Sequence, residues 1–251
     1  MSQSVMWKEL TAAELVAKAA ADAIVLLPVA SMEQHGPHLP VGVDSILCEA
    51  VCRGAAEAVA SAPAVIVAPT LWCGMAEHHM AFGGTFSFDS ASYRAVLLCL
   101  LTSLERDGFK RVLIVNGHGG NIAALAAFLP DFAAATALKV RTTTYFELAQ
   151  AAMPAILEDQ DGVRHACEAE TSMMLAVAPA LVRLDALSAA HGPAHVHRRP
   201  LALGQYRSFR DFTPSGVVGD ARRASRDKGE RLIAAAVEAL AALLRAPQTW
   251  D

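Results

Sequence analysis

Four short apolar runs, each closed by polar or small residues and followed by helical spacing, most constrain the fold open to this chain. They are Ala23 to Val29 (AIVLLPV), Val65 to Ala68, Arg111 to Val115 (RVLIV) and Leu138 to Thr144 (LKVRTTT). Short apolar runs with β-branched residues read as strands buried on both faces. Ser45 to Ala60, Ser90 to Arg106 and Ile122 to Ala135 have helical spacing, and Ala169 to Val177 is helical until Pro179 stops it. A long Ala/Leu-rich helix is predicted over Asp220 to Arg245. Alternating strands and helices predict an α/β fold, a mostly parallel sheet covered on both faces. Ala180 to Val218 has weak periodicity and is expected to be an irregular excursion or a subunit contact. No linker or repeat divides residues 1–251, so one domain is expected.

Composition excludes several function classes. Apolar residues make up 54% and charged residues 18%, enough for a sizeable core and against disorder. Net charge is −4, and the basic pairs Arg198-Arg199 and Arg222-Arg223 are too few for a phosphate-tracking groove, so no nucleic-acid partner is expected. Cys48, Cys52, Cys73, Cys99 and Cys167 form no CxxC pair, which argues against a disulfide framework and a thiolate zinc site. With no apolar leader and no run near the roughly 20 residues of a membrane span, a cytoplasmic protein without a membrane partner is expected.

The chemistry-bearing residues cluster where the predicted strands end. After the first come Glu33, His35, His38 and Asp44, and after the third comes Asn116-Gly117-His118-Gly119-Gly120-Asn121. Sites in open parallel sheets form outside the carboxyl ends of the strands, so Glu33, His35, Asp44 and His118 are expected to converge. Carboxylates mixed with imidazoles suit zinc or manganese, with iron compatible. Two ions about 3.5–4 Å apart need a bridging carboxylate, and Asp44 is the candidate.

A second cluster, Arg164-His165-Ala166-Cys167-Glu168-Ala169-Glu170, opens a predicted helix. Its carboxylates serve equally as ordinary first-turn charges, as metal ligands or in proton transfer. If the stretch is helical, His165 and Glu168 share a face. His78 and His79 line a pocket or fill a structural role, with Glu77 as an orienting partner. His38 is read as a loop residue, His191, His195 and His197 as surface or subunit contacts, Met173-Met174 as core, and Cys167 as no nucleophile because its neighbours are acidic.

Five segments together resemble the creatininase family: Leu27 to Asp44, Glu77 to Phe88, Gly108 to Asn121, His165 to Ser172 and Ser215 to Gly229. The resemblance implies a three-layer α/β/α fold, a site for two divalent ions, and a closed homo-oligomer, a hexamer in the first instance. It makes Glu33 and His118 ligands of one ion, His35 a ligand of the other, Asp44 the bridge and His165 the acid/base. The expected reaction is hydrolysis of a C–N bond in a small cyclic amide or formamide. The alternative is C–C ring opening of a keto-inositol on the same site.

The chain departs from creatininase in two places. Creatininase carries a metal-binding glutamate two residues after the histidine of its NGH motif, where this chain has Gly120. Glu168 is the expected replacement ligand and Glu170 the catalytic carboxylate, with the exchange of these two left open. The tryptophans that enclose creatinine are also missing, since Trp7, Trp72 and Trp250 all lie outside Tyr145 to Ala166. A substrate other than creatinine is expected.

Overall fold

A computed structural model describes residues 4–59, 63–158, 160–195 and 205–251. Strands β1 (Ile24–Val29), β2 (Val65–Val67), β3 (Arg111–Asn116) and β4 (Lys139–Thr144) form one parallel sheet in the order β2-β1-β3-β4. Around it lie α1 (Ala12–Ala20), α2 (Val43–Val59), α3 (Ser90–Arg106), α4 (Ile122–Ala135), the single turn α5 (Tyr145–Leu148), α6 (Glu168–Val177) and α7 (Arg226–Arg245). This is the expected three-layer α/β/α arrangement.

The layers follow from the two-residue period of a strand. Ile24 and Leu26 of β1, with Leu113 and Val115 of β3, pack into a core with α2, α6 and α7. Their alternates Val25, Leu27, Val112 and Ile114 pack on the opposite face against α3 and α4. Each aliphatic side chain so buried contributes about 1.5–3 kcal/mol, and burial on both faces explains the near-continuous apolar runs. Pro28 is tolerated in this central strand because its nitrogen faces the side where β2 has already ended at Val67.

Two helix starts differ from the sequence reading. Helix α2 begins at Val43, so Asp44 stands in its first turn rather than in the preceding loop. Helix α7 begins at Arg226 because Ser225 accepts the Lys228 amide as its cap, while Asp220 caps a separate 3₁₀ turn, Ala221–Arg223. Between Ala180 and Val218 the described residues form only 3₁₀ turns and loops. Among the described residues no helix is long and apolar enough to cross a membrane.

From β1 the chain passes to β2 on one side and later returns to β3 on the other. The segments leaving β1 and β3 therefore splay around a switch point, the usual crevice of such sheets.

Candidate metal centre

Glu33, His35 and Asp44 arrive from the segment after β1, and His118 from the segment after β3. Gly117 lets the two meet: a Cβ there would stand 2.8 Å from Cys48 Cβ and 2.9 Å from the Asp44 carbonyl oxygen. Without one, the end of β3 rests directly on the first turns of α2. Asp44 Oδ1 lies 3.1 Å from His35 Nε2, and its Oδ2 lies 3.1 Å from His118 Nδ1. Glu33 Oε2 is also 3.1 Å from His118 Nδ1, and Glu170 Oε1 is 3.9 Å from His35 Nε2.

The remaining ring nitrogens decide what these contacts are. His35 Nδ1 faces the Glu33 carbonyl at 3.0 Å, and His118 Nε2 faces the Met75 carbonyl at 3.2 Å. A carbonyl only accepts, so each ring places a proton there and, when neutral, turns a lone pair toward two carboxylates. His35 Nε2, Glu33 Oε2 and Asp44 Oδ2 are buried and have no hydrogen-bond partner among the described residues. Lone pairs facing carboxylates at this range fit a cation between them. Two donors each 2.0–2.1 Å from one ion in tetrahedral geometry stand about 3.3 Å apart.

The electrostatics agree. Burial opposes the charged form of His35, yet Asp44, Glu170 and Glu33 overcome it and push the ring up to about 9. His118 is raised in the same way against its burial by Glu33 and Asp44. Glu170 is pushed up to about 8, by burial first and then by Asp44 and Glu33, with His35 opposing. Carboxylates packed this closely call for positive charge.

His165 stands just before α6, at the mouth of this cluster, with Nδ1 3.6 Å from Glu33 Oε1. It is not on the helix and so shares no helical face with Glu168. Ala166 adopts a left-handed φ of 49°, which turns its amide onto the Glu170 carboxylate. That non-glycine strain holds Glu170 toward His35. Glu168 does not reach the cluster. Its carboxylate is fully buried on the other side of α6, 2.6 Å from Lys228 Nζ and bonded by the Glu158 amide.

His79 belongs to the cluster. Its Nε2 lies 3.2 Å from Glu33 Oε1, and its ring packs 4.5 Å from His165 and 4.4 Å from Phe209, centroid to centroid. Burial pushes it down to about 2, and repulsion from positive charge on the neighbouring His78, His118 and His35 rings adds to it, with Asp44 opposing. The sequence signal for His79 was only its place in EHH; Phe209 had none. Glu77 is exposed and does not orient these rings; the Gln34 amide contacts His79 instead. His38 donates to or accepts from Thr171 Oγ1 at 2.7 Å, away from the carboxylates. His191 and His195 are exposed, as expected, with His195 also lining the cavity, and His197 with Arg198-Arg199 lies outside the described residues.

A cavity of about 370 Å³ opens over the cluster, with Glu33, Asp44, His118, His165 and Glu170 in its lining. Phe146, Val163, Phe209 and Val218 form its apolar part, and Arg164 adds one cation. Among the described residues of the segment from Ala180 to Val218, His195, Phe209 and Val218 thus line this cavity.

A family model described as creatininase, creatinine amidohydrolase, matches residues 8–244. The creatinine amidohydrolase of Pseudomonas putida is 31% identical and covers 98% of this chain and 98% of its own length. The mycofactocin precursor peptide peptidase of Mycolicibacterium smegmatis is 34% identical over 87% of this chain and 83% of that protein. The 3-dehydro-scyllo-inosose hydrolase of Thermotoga maritima is 26% identical over 88% and 76%. A manganese creatininase structure has a TM-score of 0.79 at 29% identity, covering 99% of this chain and 100% of that one. A creatininase mutant of Zn-Zn type has a TM-score of 0.80 at 28% identity, covering both chains fully.

Proposed function

The chain belongs to the creatininase family of hydrolases, and we propose that it is a metal-dependent amidohydrolase cleaving a C–N bond in a small cyclic amide or formamide. One observation carries this reading: Asp44 offers one oxygen to each of two imidazole nitrogens, at 3.1 Å in both cases. Glu33, Asp44 and His118 would hold one divalent ion, and His35, Asp44 and Glu170 the other, with Asp44 as the bridge. In this assignment Glu170 takes the ligand role expected of Glu168. Oxygen and imidazole donors suit zinc, manganese and iron. Ions held there supply Lewis acidity, lowering the pKa of a water and polarising the scissile carbonyl.

The protein's own part is proton management and enclosure. His165 Nδ1 takes a proton from the attacking water and delivers it to the leaving nitrogen. The water oxygen bonds to the carbonyl carbon, the C–N bond breaks, and the nitrogen leaves with that proton. Phe146, Phe209 and Val218 keep bulk water from the reacting carbonyl. No tryptophan is among the described residues that line the cavity, which supports a substrate other than creatinine.

A second reading, C–C ring opening of a keto-inositol, is favoured by the inosose hydrolase among the relatives. Elemental analysis per chain, with turnover of creatinine, hydantoin, N-formyl amino acids and a keto-inositol, tests both. Near two equivalents of zinc or manganese with release of ammonia, amine or formate supports the amidohydrolase. Turnover of the keto-inositol alone moves the assignment to the second reading. Metal well below one equivalent, not restored by reconstitution, overturns both. The same family membership leads us to propose a homo-oligomer, a hexamer first. Exposed Trp72, Phe86 and Met80 support it, and sedimentation analysis tests it.

A further inference from the structure

Gln34 lies in the chain between Glu33 and His35, yet no role falls to it in the reaction above. Its side chain is buried, and every polar atom of the residue's amide is engaged. The Gly36 amide donates to Oε1 at 2.9 Å, which fixes the orientation of the side chain. The amide nitrogen Nε2 then faces three atoms: His79 Nδ1 at 3.0 Å, the Gly216 carbonyl at 3.2 Å and His165 Nε2 at 2.9 Å. The Gln34 backbone carbonyl lies 2.7 Å from the same His165 Nε2.

Counting hydrogens resolves this cluster. The amide has two to give, and two acceptors, His79 Nδ1 and the Gly216 carbonyl, have no other donor among the described residues. His165 Nε2 must then carry a proton of its own and donate it to the Gln34 carbonyl. Every donor finds an acceptor in this arrangement. Were the amide to serve His165 Nε2 instead, the Gln34 carbonyl and one further buried acceptor would go without, at a cost of about 1–3 kcal/mol each. Gly216 takes a left-handed φ of 77°, and a Cβ there would sit 2.0 Å from Gln34 Oε1, so its loop presses directly on the side chain.

We infer that Gln34 is a positioning residue that gives the two neighbouring imidazoles opposite roles toward Glu33. His79 receives at Nδ1, keeps its proton on Nε2 and donates to Glu33 Oε1, 3.2 Å away. His165 gives at Nε2 and turns a bare Nδ1 toward the same oxygen and the cavity. One ring steadies the carboxylate, and the other is set at rest as a proton acceptor. The tautomers stand on this geometry alone; the consequence for catalysis rests on the proposed hydrolysis.

Magic-angle-spinning 15N NMR of the metal-loaded protein reads both tautomers, with His79→Asn and His165→Asn assigning the signals. A protonated Nε2 and bare Nδ1 on both rings is the expected result. A proton on Nδ1 of either ring overturns the inference, whatever the substrate proves to be. Gln34→Glu replaces two donors by an acceptor and is expected to move the His79 proton to Nδ1. Turnover of the best panel substrate should then fall roughly 10²-fold with KM and metal content little changed. A loss of turnover that only tracks lost metal or lower thermal stability, with both tautomers unmoved, would mean that Gln34 is merely structural.

Discussion

Glu168 and Glu170, two residues apart at the start of α6, point their carboxylates into different parts of the protein. Glu168 lies 2.6 Å from Lys228 Nζ on α7, whereas Glu170 lies 3.9 Å from His35 Nε2 in the candidate centre. Two residues on a helix are about 200° apart, so only one of them can face the cavity.

Substitutions on the two sides should therefore separate. Lys228→Met leaves the fully buried Glu168 without its cation and is expected to cost about 3 kcal/mol of stability with metal content unchanged. Glu170→Gln is expected to lose roughly one equivalent of metal per chain with little loss of stability. Chemical denaturation and elemental analysis of both variants check this. Metal loss in Lys228→Met with none in Glu170→Gln would return Glu168 to the ligand set.

Gly120 stands where creatininase has a glutamate, and the space beside it is full. A Cβ would lie 2.4 Å from His118 Nε2, 2.4 Å from the Met75 carbonyl oxygen and 2.9 Å from His78 Cε1. Gly120→Ala is expected to destabilise by about 1–3 kcal/mol and to weaken metal retention by shifting His118. Gly120→Glu should not add a ligand. Melting curves and metal content report both, and a stable Gly120→Glu with extra metal would refute the packing argument.

Metal uptake should depend on pH with a definite sign. His35 is raised to about 9 and Glu170 to about 8, so below those values each carries a proton that a cation must displace. Affinity is expected to rise with pH between about 6 and 9, by roughly tenfold per unit for each proton released. Calorimetry in buffers of different ionisation enthalpy counts those protons. An affinity flat across this window would show that neither group binds the ion.

Phe209 packs on His79 and His165 at 4.4 and 4.8 Å between centroids and also lines the cavity. Phe209→Ala is expected to loosen both rings, lowering kcat roughly 10-fold and raising KM modestly, with metal content intact. Steady-state kinetics on an active panel substrate checks it. Unchanged kcat would confine Phe209 to the wall of the cavity.

Much of this molecule was legible along the chain. The strands and most helices follow from local periods, two for a strand and 3.6 for a helix, which any short window carries. Placing Glu33, His35 and His118 at strand ends already directed them to one crevice, since parallel sheets splay there. Asp44 was read as a loop residue and proved to be helical, because the buried stripe Val43, Leu47 and Val51 already begins one residue before it.

What the sequence by itself determined was therefore the layer order, the strand ends and the family pattern of donors that they carry. Only the tertiary structure decided which carboxylate of α6 faces inward, that Gly120 has no room beside it, and that His79 reaches Glu33 with Phe209 packed on its ring. It also decided how Gln34 meets His165 across 131 residues of chain. Periodicity is a short-range property, whereas these contacts depend on the exact rotation and approach of elements that meet only after the sheet has assembled.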